Sequence, residues 1–395
     1  MIVLVMSMYL VQGTLNGLNP AMSALTEHFS NYEQTTVMLI ATIPCLTAIL
    51  GNMAMSTVIR KFGYKLGLIA TFIFYFITSI LPYFTFDNLI VVLAERGLMG
   101  LAYGILYPVC ATMVATFISP EKQGTYMGLG TTMGALAGVL FSTVGGMLTD
   151  ISLQSIFFVH LLSLIPFVLL LLTPNSFLTV SSNSVVEGGN SNSVGTKAKE
   201  KFGPKSWFWQ IFIAFALIFA YGFYLNSSLV VTKLGGNASQ AGLAVSVNLI
   251  AGCVASTSFG KVYKILDKAF MSVSCFVAAM GYLLVFTAHS IPVLLAGAAL
   301  AGLGYNSLTP YMFTAIAMTT PASRVADANG NAAALMNVSA VICTYILNFL
   351  AGLFGRAGDA QFVFVFSVAF FIILGVAFAF VGNKLVQNNK IKEGE

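Results

Sequence analysis

Charged side chains are scarce in this sequence. Asp, Glu, Lys and Arg together make up only 8% of its 395 residues, whereas an ordinary soluble domain carries about 25%. Hydrophobic residues account for 58% of the chain. A surface that faces water needs far more charge, so this composition excludes a soluble globular protein.

Signatures of several kinds of chemistry are also missing. The three histidines and five cysteines show neither metal-ligand spacing nor a paired disulfide pattern, so we expect no metal or other cofactor. The phosphate-binding loop of ATP-driven pumps is absent, because Gly260-Lys261 is followed by Val262. The apolar segments hold no paired carboxylates and no nucleophile with a base, which argues against an intramembrane enzyme.

What the chain has instead is a series of long apolar runs. A helix that crosses roughly 30 Å of hydrocarbon needs about 20 mostly apolar residues. About twelve such runs, numbered here as predicted helices 1 to 12, cover approximately residues 2–25, 35–59, 66–86, 88–117, 124–149, 155–173, 207–232, 240–263, 269–288, 291–318, 328–354 and 361–383. Continuous runs favour helices over a β-barrel, whose strands alternate. The predicted fold is therefore an all-α polytopic membrane protein with about 12 transmembrane helices, the first retained, with a cleaved signal peptide as the alternative.

The basic residues predict the orientation in the membrane. If both termini are cytoplasmic, fifteen of the 18 Lys and Arg residues lie in cytoplasmic loops or in the tail. Only Lys233 and Arg356 lie outside, and Arg96 lies within predicted helix 4. This asymmetry predicts a multi-pass protein of the cytoplasmic membrane with both termini inside. The net charge of +5 then reflects topology and not nucleic-acid binding.

The longest polar stretch, 174–206, is rich in Ser, Asn, Gly and Lys and predicts a cytoplasmic linker. It separates two six-helix halves, 1–173 and 207–383, and a cytoplasmic tail follows at 384–395.

The two halves share an internal repeat at an offset of 202 residues. Residues 98–115 and 300–317 align without a gap and have eight identities in eighteen positions: Leu98/Leu300, Gly100/Gly302, Leu101/Leu303, Tyr103/Tyr305, Leu106/Leu308, Pro108/Pro310, Thr112/Thr314 and Ala115/Ala317. The matching segments are predicted helices 4 and 10, which are equivalent in a six-plus-six duplication. We expect halves related by pseudo-two-fold symmetry, an arrangement that transporters use to open a central site to each side in turn.

Three segments resemble the major facilitator superfamily, and the likeness covers essentially the whole chain. The loop from Ser56 to Lys65 is similar to the signature Gly-x-x-x-Asp-Arg-x-Gly-Arg-Lys, with Ser56 at the first Gly position and Arg60 at the Asp position. In predicted helix 4, Arg96 to Pro108 resembles the pattern Arg-x-x-x-Gly-x-x-x-Gly-x-x-x-Pro of organic-anion and related carriers. Predicted helix 5 is rich in Gly, but Ser142 replaces the Pro of the antiporter Gly-Pro motif.

The resemblance implies a transporter whose cavity is lined by helices 1, 4, 7 and 10. It also implies gating residues in the loop between helices 2 and 3. The gating candidates are Arg60, Lys61, Gly63, Lys65 and, as flexures inside helices 4 and 10, Pro108 and Pro310. A proline removes one intrahelical hydrogen bond and permits a bend, although a kink fixed by packing is the alternative.

Glu95 and Arg96 are the only formally charged residues well inside a predicted span. A charge in mid-membrane costs about 3 kcal/mol, so each should face the pathway or a partner. Arg96 either attracts an anionic substrate, relays charge during proton coupling, or braces the helix by bonding backbone carbonyls. Glu95, about 100° away around the helix, is a proton-coupling candidate unless it pairs with Arg96 or lies at the interface. His160 is either a proton relay or a satisfied polar residue.

Polar residues near the middle of predicted helices 1, 4, 7 and 10 predict the substrate-binding residues. They are Gln12, Asn16 and Asn19 on helix 1, Arg96, Tyr103 and Tyr107 on helix 4, Tyr221, Tyr224 and Asn226 on helix 7, and Tyr305, Asn306 and Thr309 on helix 10. Helical spacing places Arg96, Tyr103 and Tyr107 on one face, and Ala298 occupies the position of Arg96 in the second half.

These features predict a secondary transporter that binds a small organic solute. The lone intramembrane cation favours an anion. The alternative is an exporter of amphipathic compounds, with a cavity formed from some of the 33 Phe and 17 Met residues. Coupling to H+ and coupling to Na+ both stay open, and we expect a monomer in the lipid bilayer.

Overall fold

The computed structural model describes residues 2–174, 202–321 and 324–390. In these residues the regular secondary structure is entirely helical. Most of the predicted linker, residues 175–201, and the end of the predicted tail, residues 391–395, lie outside the described residues.

Twelve α-helices are assigned within the described residues. They are α1 Ile2–Met8, α2 Met22–His28, α3 Gln34–Ile80, α4 Leu89–Phe117, α5 Pro120–Ile151, α6 Leu164–Leu172, α7 Pro204–Lys233, α8 Ala238–Leu266, α9 Phe270–Phe286, α10 Ile291–Thr319, α11 Val325–Gly352 and α12 Phe364–Lys390. The 3-10 segments Tyr9–Asn16 and Asn19–Ala21 join α1 to α2, and Leu153–Ser163 leads into α6.

Nine stretches of the described residues are long and apolar enough to cross a membrane. Two of them, Gln34–Tyr83 and Ala238–Phe286, contain 50 and 49 residues. An unbroken helix of that length would measure about 75 Å, far more than one bilayer, but each stretch is interrupted. The backbone of α3 leaves the helical region at Gly63 with φ 74°, a conformation that glycine adopts freely, and Asp267 has φ 42° between α8 and α9. The all-α membrane architecture is confirmed, while the count of twelve crossings stays a prediction.

The first predicted helix is less regular than the sequence suggests. The run 2–25 was expected as one helix, but two α-helical turns at each end flank tighter 3-10 turns. Pro20 lacks a backbone N–H and lies in one of these turns. At Gly13 the segment runs so close to α5 that a β-carbon there would collide with the backbone of Ala137 and Gly138.

The residues repeated between the halves have repeated structural roles. Gly100 on α4 packs against the backbone of α3, and Gly302 on α10 packs against the backbone of α8. The hydroxyl of Thr112 donates to the carbonyl of Pro108 over 2.9 Å, and Thr314 donates to Pro310 over 2.8 Å. The identities at the 202-residue offset therefore preserve close helix packing and the geometry around each intrahelical proline.

Buried apolar residues form two clusters. The smaller one lies within the first half, around Phe72 and Met99. The larger one draws on both halves and includes Phe141 and Phe223. Both halves thus contribute to one shared core.

Candidate functional site

Helices α5 and α8, one from each half, contact each other along part of their length. Ser142 donates through its hydroxyl to the carbonyl of Gly242 over 3.1 Å, and Thr143 and Ser246 share a hydrogen bond of 3.0 Å. Ser142 is the residue that replaces proline in the antiporter pattern, so this departure contributes a bond between the halves.

The contact ends at a helix cap. The Asp150 carboxylate accepts hydrogen bonds from the backbone amides of Ala238, at 3.0 Å, and Ser239, at 3.1 Å, and from the Ser239 hydroxyl. These amides belong to the first turn of α8, where an acidic group is favoured by the free N–H groups and the helix dipole. We call this side of the bundle the Asp150 end and the opposite side the Gly63 end.

A second contact joins the halves toward the Asp150 end. Ser228 on α7 donates to the carbonyl of Pro20 over 2.6 Å and accepts from the amide of Ser23 at 3.2 Å. The hydrogen bonds of these two contacts between residues 2–174 and 202–390 lie from Val139 toward the Asp150 end.

Toward the Gly63 end, α5 and α8 diverge around a cavity of about 350 Å³. Residues of α5 and α8 line this cavity, together with one residue of α10. The lining residues are Gly128, Thr131, Thr132, Ala135, Leu249, Gly252, Cys253, Ser256, Thr257 and Asn306. The wall is therefore formed by hydroxyls, an amide and small side chains without formal charge.

Arg96 is fully buried within the first half. Its Nε donates to the carbonyl of Ile40 over 2.9 Å, and its Nη1 lies 2.9 Å from Nε2 of His160. Its Nη2 makes no hydrogen bond to a described protein atom. The guanidinium thus combines a bracing contact to a backbone carbonyl with one nitrogen, Nη2, that is not bonded to the described protein.

His160 connects Arg96 to a longer chain of hydrogen bonds. Because an arginine N–H can only donate, Nε2 of His160 must be the acceptor, and the neutral ring then carries its proton on Nδ1. Nδ1 lies 3.1 Å from the hydroxyl of Tyr75, which lies 3.1 Å from the hydroxyl of Thr14. The chain links α3, α4 and the segments before α2 and α6.

Glu95 is separated from this network. Its side chain is 5% exposed and accepts a 2.7 Å hydrogen bond from the hydroxyl of Thr85, in the turn before α4. No ion pair joins Glu95 to Arg96 among the described residues. Glu95 thus lies in the second turn of α4 with Thr85 as its partner, and its coupling role stays a prediction.

The predicted tyrosines lie in two pairs. Tyr103 and Tyr107 on α4 have ring centroids 5.6 Å apart, and Tyr221 and Tyr224 on α7 have centroids 5.5 Å apart. Cys45 on α3 lies close to both Arg96 and Tyr221, so it connects the buried cation to the second half.

In the second half, polar groups link α7, α8 and α10. Tyr224 donates to Asn248 over 2.8 Å, and Asn248 donates to the carbonyl of Ala298 over 2.9 Å. Ala298 is the counterpart of Arg96, so an uncharged amide occupies the corresponding helix contact here. Tyr305 and Thr309 carry buried hydroxyls without a well-formed hydrogen bond.

The remaining predicted binding residues do not come together in one place. Gln12 packs against Gly134 and Asn16 against Gly138 of α5, while Asn19 donates weakly to Asn16 over 3.5 Å. Asn226 donates to the Gly222 carbonyl of its own helix over 2.9 Å. Asn306 alone of the predicted binding residues lines the 350 Å³ cavity.

The predicted gating loop lies at the Gly63 end. Lys65 donates to the carbonyl of Thr173 over 2.7 Å, and Lys61 lies 5.4 Å from the Phe62 ring. Arg60 is exposed. Gly63 supplies the turn itself.

Several residues of the site were missed at the level of sequence. Asp150, Ser239, Tyr75 and Cys45 belong to no sequence pattern, and each makes its contact with a residue far away along the chain. Only Asn237 and Gln240, which form a capping box at the start of α8, signalled that this helix terminus has a defined geometry.

An all-α membrane fold with a cavity between α5 and α8 is the architecture expected of a membrane transporter. Two matches to the Major Facilitator Superfamily cover residues 1–232 and 207–395, and the chain belongs to this superfamily. An uncharacterized transporter of the same type from Methanocaldococcus jannaschii is 22% identical over 320 residues, 79% of this chain and 81% of that protein.

Solved structures of transporters share the fold. A bacterial homolog of the human lysosomal transporter Spinster, crystallised in an inward-facing and occupied conformation, superimposes with a TM-score of 0.70 at 14% identity, covering 97% of this chain and 96% of that chain. The human organic anion transporter MFSD10 gives a TM-score of 0.65 at 14% identity, covering 95% and 98%.

Proposed function

We propose that this transporter moves a small organic anion across the cytoplasmic membrane by alternating access. The single observation that carries the proposal is the relation between α5 and α8. Bonded contacts close the Asp150 end, and the same two helices separate around a cavity toward the Gly63 end. A carrier that opens each end in turn requires helices that can close at one end while parting at the other.

The anion is proposed because of Arg96. A permanently charged guanidinium with no carboxylate partner among the described residues leaves a net positive charge inside the first half. In a low-dielectric interior this charge attracts anions and repels cations more strongly than in water. The similarity in fold to a human organic anion transporter agrees with this substrate class.

The uncharged cavity wall favours a second candidate. Thr131, Thr132, Ser256 and Asn306 offer hydrogen bonds without charge, which suits a neutral or amphipathic compound. In that case the protein is an exporter of such compounds, and Arg96 serves only to hold α4 against α3.

The basic residues support the proposed orientation. Arg60, Lys61 and Lys65 lie at the Gly63 end, and an excess of Lys and Arg marks cytoplasmic loops. We therefore place the Gly63 end and both termini in the cytoplasm, with the halves 1–173 and 207–383 as the two moving bodies.

Transport in proteoliposomes distinguishes the candidates. Radiolabelled lactate, benzoate and succinate are compared with a hydrophobic cation in wild type, Arg96→Gln and Arg356→Gln, the last being an exposed arginine that pairs with Asp359. We expect anion uptake to fall about tenfold or more in Arg96→Gln, since a hydrogen bond to a charged group contributes about 1.5–3 kcal/mol. Uptake by Arg356→Gln should equal that of wild type. Anion uptake that is unaffected by Arg96→Gln, with movement of the hydrophobic cation, would favour the exporter.

A further inference from the structure

We infer that Arg96 and His160 form one linked site that takes up an organic anion and a proton together, so that transport of the anion is coupled to H+. The inference rests on the proposed function and adds the coupling ion and its binding residue. It starts from the bond between Nη1 of Arg96 and Nε2 of His160, at 2.9 Å.

This bond is incompatible with a charged imidazole. An imidazolium has a proton on each ring nitrogen and cannot accept from Arg96. It would also place two cations side by side in a buried site. In the structure described here, the ring is therefore neutral, with Nδ1 directed to Tyr75.

The described groups around His160 offer no negative charge that could balance a protonated ring. Arg96 faces it from α4 and Tyr75 from α3, and the hydroxyls of Thr14 and Ser163 are bonded to Tyr75 and not to the ring. The described carboxylate of α5, Asp150, is occupied by the start of α8. No carboxylate among the described side chains bonds to either Arg96 or His160.

An anion at Arg96 changes this balance. The free Nη2 is a buried donor without a partner, and a carboxylate or similar group bonded there neutralises the guanidinium. Nη1 can then turn away, and Nε2 of His160 accepts a proton from water on the open side. One positive charge enters with one negative charge, the anion is chemically unchanged, and the proton leaves to water on the other side after the anion dissociates.

The role of Tyr75 is that of a positioning residue. Its hydroxyl accepts from Nδ1 and holds the ring with Nε2 toward Arg96. Its bonds to Thr14 and Ser163, at 3.1 and 3.5 Å, fix the hydroxyl in turn. The ring orientation is thus determined by Tyr75 of α3 together with the 3-10 segments Tyr9–Asn16 and Leu153–Ser163.

A first test needs no substrate. The chain has three histidines, so nitrogen-15 NMR of histidine-labelled protein in detergent, at about pH 8, resolves three rings, and His160→Gln assigns the signal of His160. We expect the proton on Nδ1. A proton on Nε2 in the unliganded protein would overturn the inference, because that ring could not accept from Arg96.

The second test measures proton uptake on anion binding. Calorimetry with lactate, benzoate and succinate, in buffers of different ionisation enthalpy, compares wild type with His160→Gln, which keeps an acceptor for Arg96, and with His289→Gln, an exposed histidine. We expect about one proton per bound anion in wild type and His289→Gln, and an affinity that rises up to about tenfold per unit decrease in pH by linkage. In His160→Gln we expect anion binding without proton uptake.

The outcomes separate the two proposals. Suppose that anion binding depends on Arg96 but that wild type takes up no proton, or that His160→Gln takes up as many protons as wild type. Either result contradicts coupling at His160 and leaves the proposed anion transport standing. If none of the three anions shows binding that depends on Arg96, the proposed anion function fails, and this inference fails with it.

Discussion

Asp150 at the end of α5 holds Ser239 at the start of α8 through both the backbone amide and the hydroxyl of the serine. The two residues belong to different halves and lie 89 positions apart. Their contact joins the start of α8 to the end of α5 at the Asp150 end, which is closed in the proposed mechanism. We therefore expect the loss of this cap to weaken the closure of the Asp150 end.

Replacing Asp150 by Ala should weaken the closed state. Loss of a helix cap costs about 1 kcal/mol, which would shift the equilibrium toward opening at the Asp150 end by about fivefold. Electron paramagnetic resonance distances between spin labels on the ends of α5 and α8 measure this shift. Asp87→Asn is the matched control, since Asp87 is an exposed carboxylate at the same end, and a shift of equal size in both variants would show that the cap has no special role.

Gly100 and Gly302 should be equally intolerant of a methyl group. A β-carbon at Gly100 would collide with Thr47 and the backbone of Pro44, and one at Gly302 would collide with the backbone of Asn248. Because overpacking costs about 1–3 kcal/mol, Gly100→Ala and Gly302→Ala should each lower the melting temperature in detergent.

Gly97 on the same helix provides the control. The nearest atom to a β-carbon there is the Thr47 methyl at 3.7 Å, an ordinary contact. Gly97→Ala should leave the melting temperature unchanged or raise it, because alanine is the better helix former by about 1 kcal/mol. Destabilisation by Gly97→Ala as large as by Gly100→Ala would contradict the packing described here.

Glu95→Gln should leave proton coupling intact. The amide oxygen of glutamine can accept the bond from Thr85 that the carboxylate now accepts, and the inferred coupling site is at His160. We expect anion uptake driven by a pH gradient to stay close to that of wild type, because the residue inferred to bind the proton is unchanged. Loss of gradient-driven uptake with anion exchange preserved would identify Glu95 as the coupling residue instead.

Cys253 is a built-in probe of access. It lines the cavity and is partly exposed, while Cys45, Cys110, Cys275 and Cys343 are buried. A membrane-impermeant maleimide should label Cys253 in inside-out vesicles and not in right-side-out vesicles, and Cys253→Ser should abolish the labelling. Equal labelling from both sides would contradict a closed Asp150 end.

The sequence was most informative about the helical fold, which follows from apolar runs and from the internal repeat. The apolar runs predicted the helical membrane fold. The 202-residue repeat aligned Gly100 with Gly302, and both lie at close helix contacts in the structure, where close packing of helices requires a small residue. The span predicted at 2–25 matches the apolar helical stretch Ile2–His28. Its interior forms 3-10 turns that the sequence did not predict, since Pro20 and the approach of Gly13 to α5 favour tighter turns.

The network around Arg96 could not be predicted in the same way. His160 lies 64 positions from Arg96 and Tyr75 lies 85 positions from His160, so only the tertiary fold brings them together. A mid-membrane arginine signals that a partner is needed, but it does not say which residue supplies it. The roles assigned to the predicted binding residues stay predictions, and Asn306 is the one placed on the cavity wall.

Cross-linking across α5 and α8 tests alternating access most directly. In a background without native cysteines, Thr143→Cys with Ser246→Cys bridges the closed contact, whose hydroxyls lie 3.0 Å apart, and Thr131→Cys with Thr257→Cys spans the cavity. The account predicts that either bridge alone abolishes transport, that reduction restores it, and that the first bridge prevents the second from forming in the same molecule. Transport that continues with the Thr143–Ser246 bridge in place, or both bridges forming together in one molecule, would contradict it.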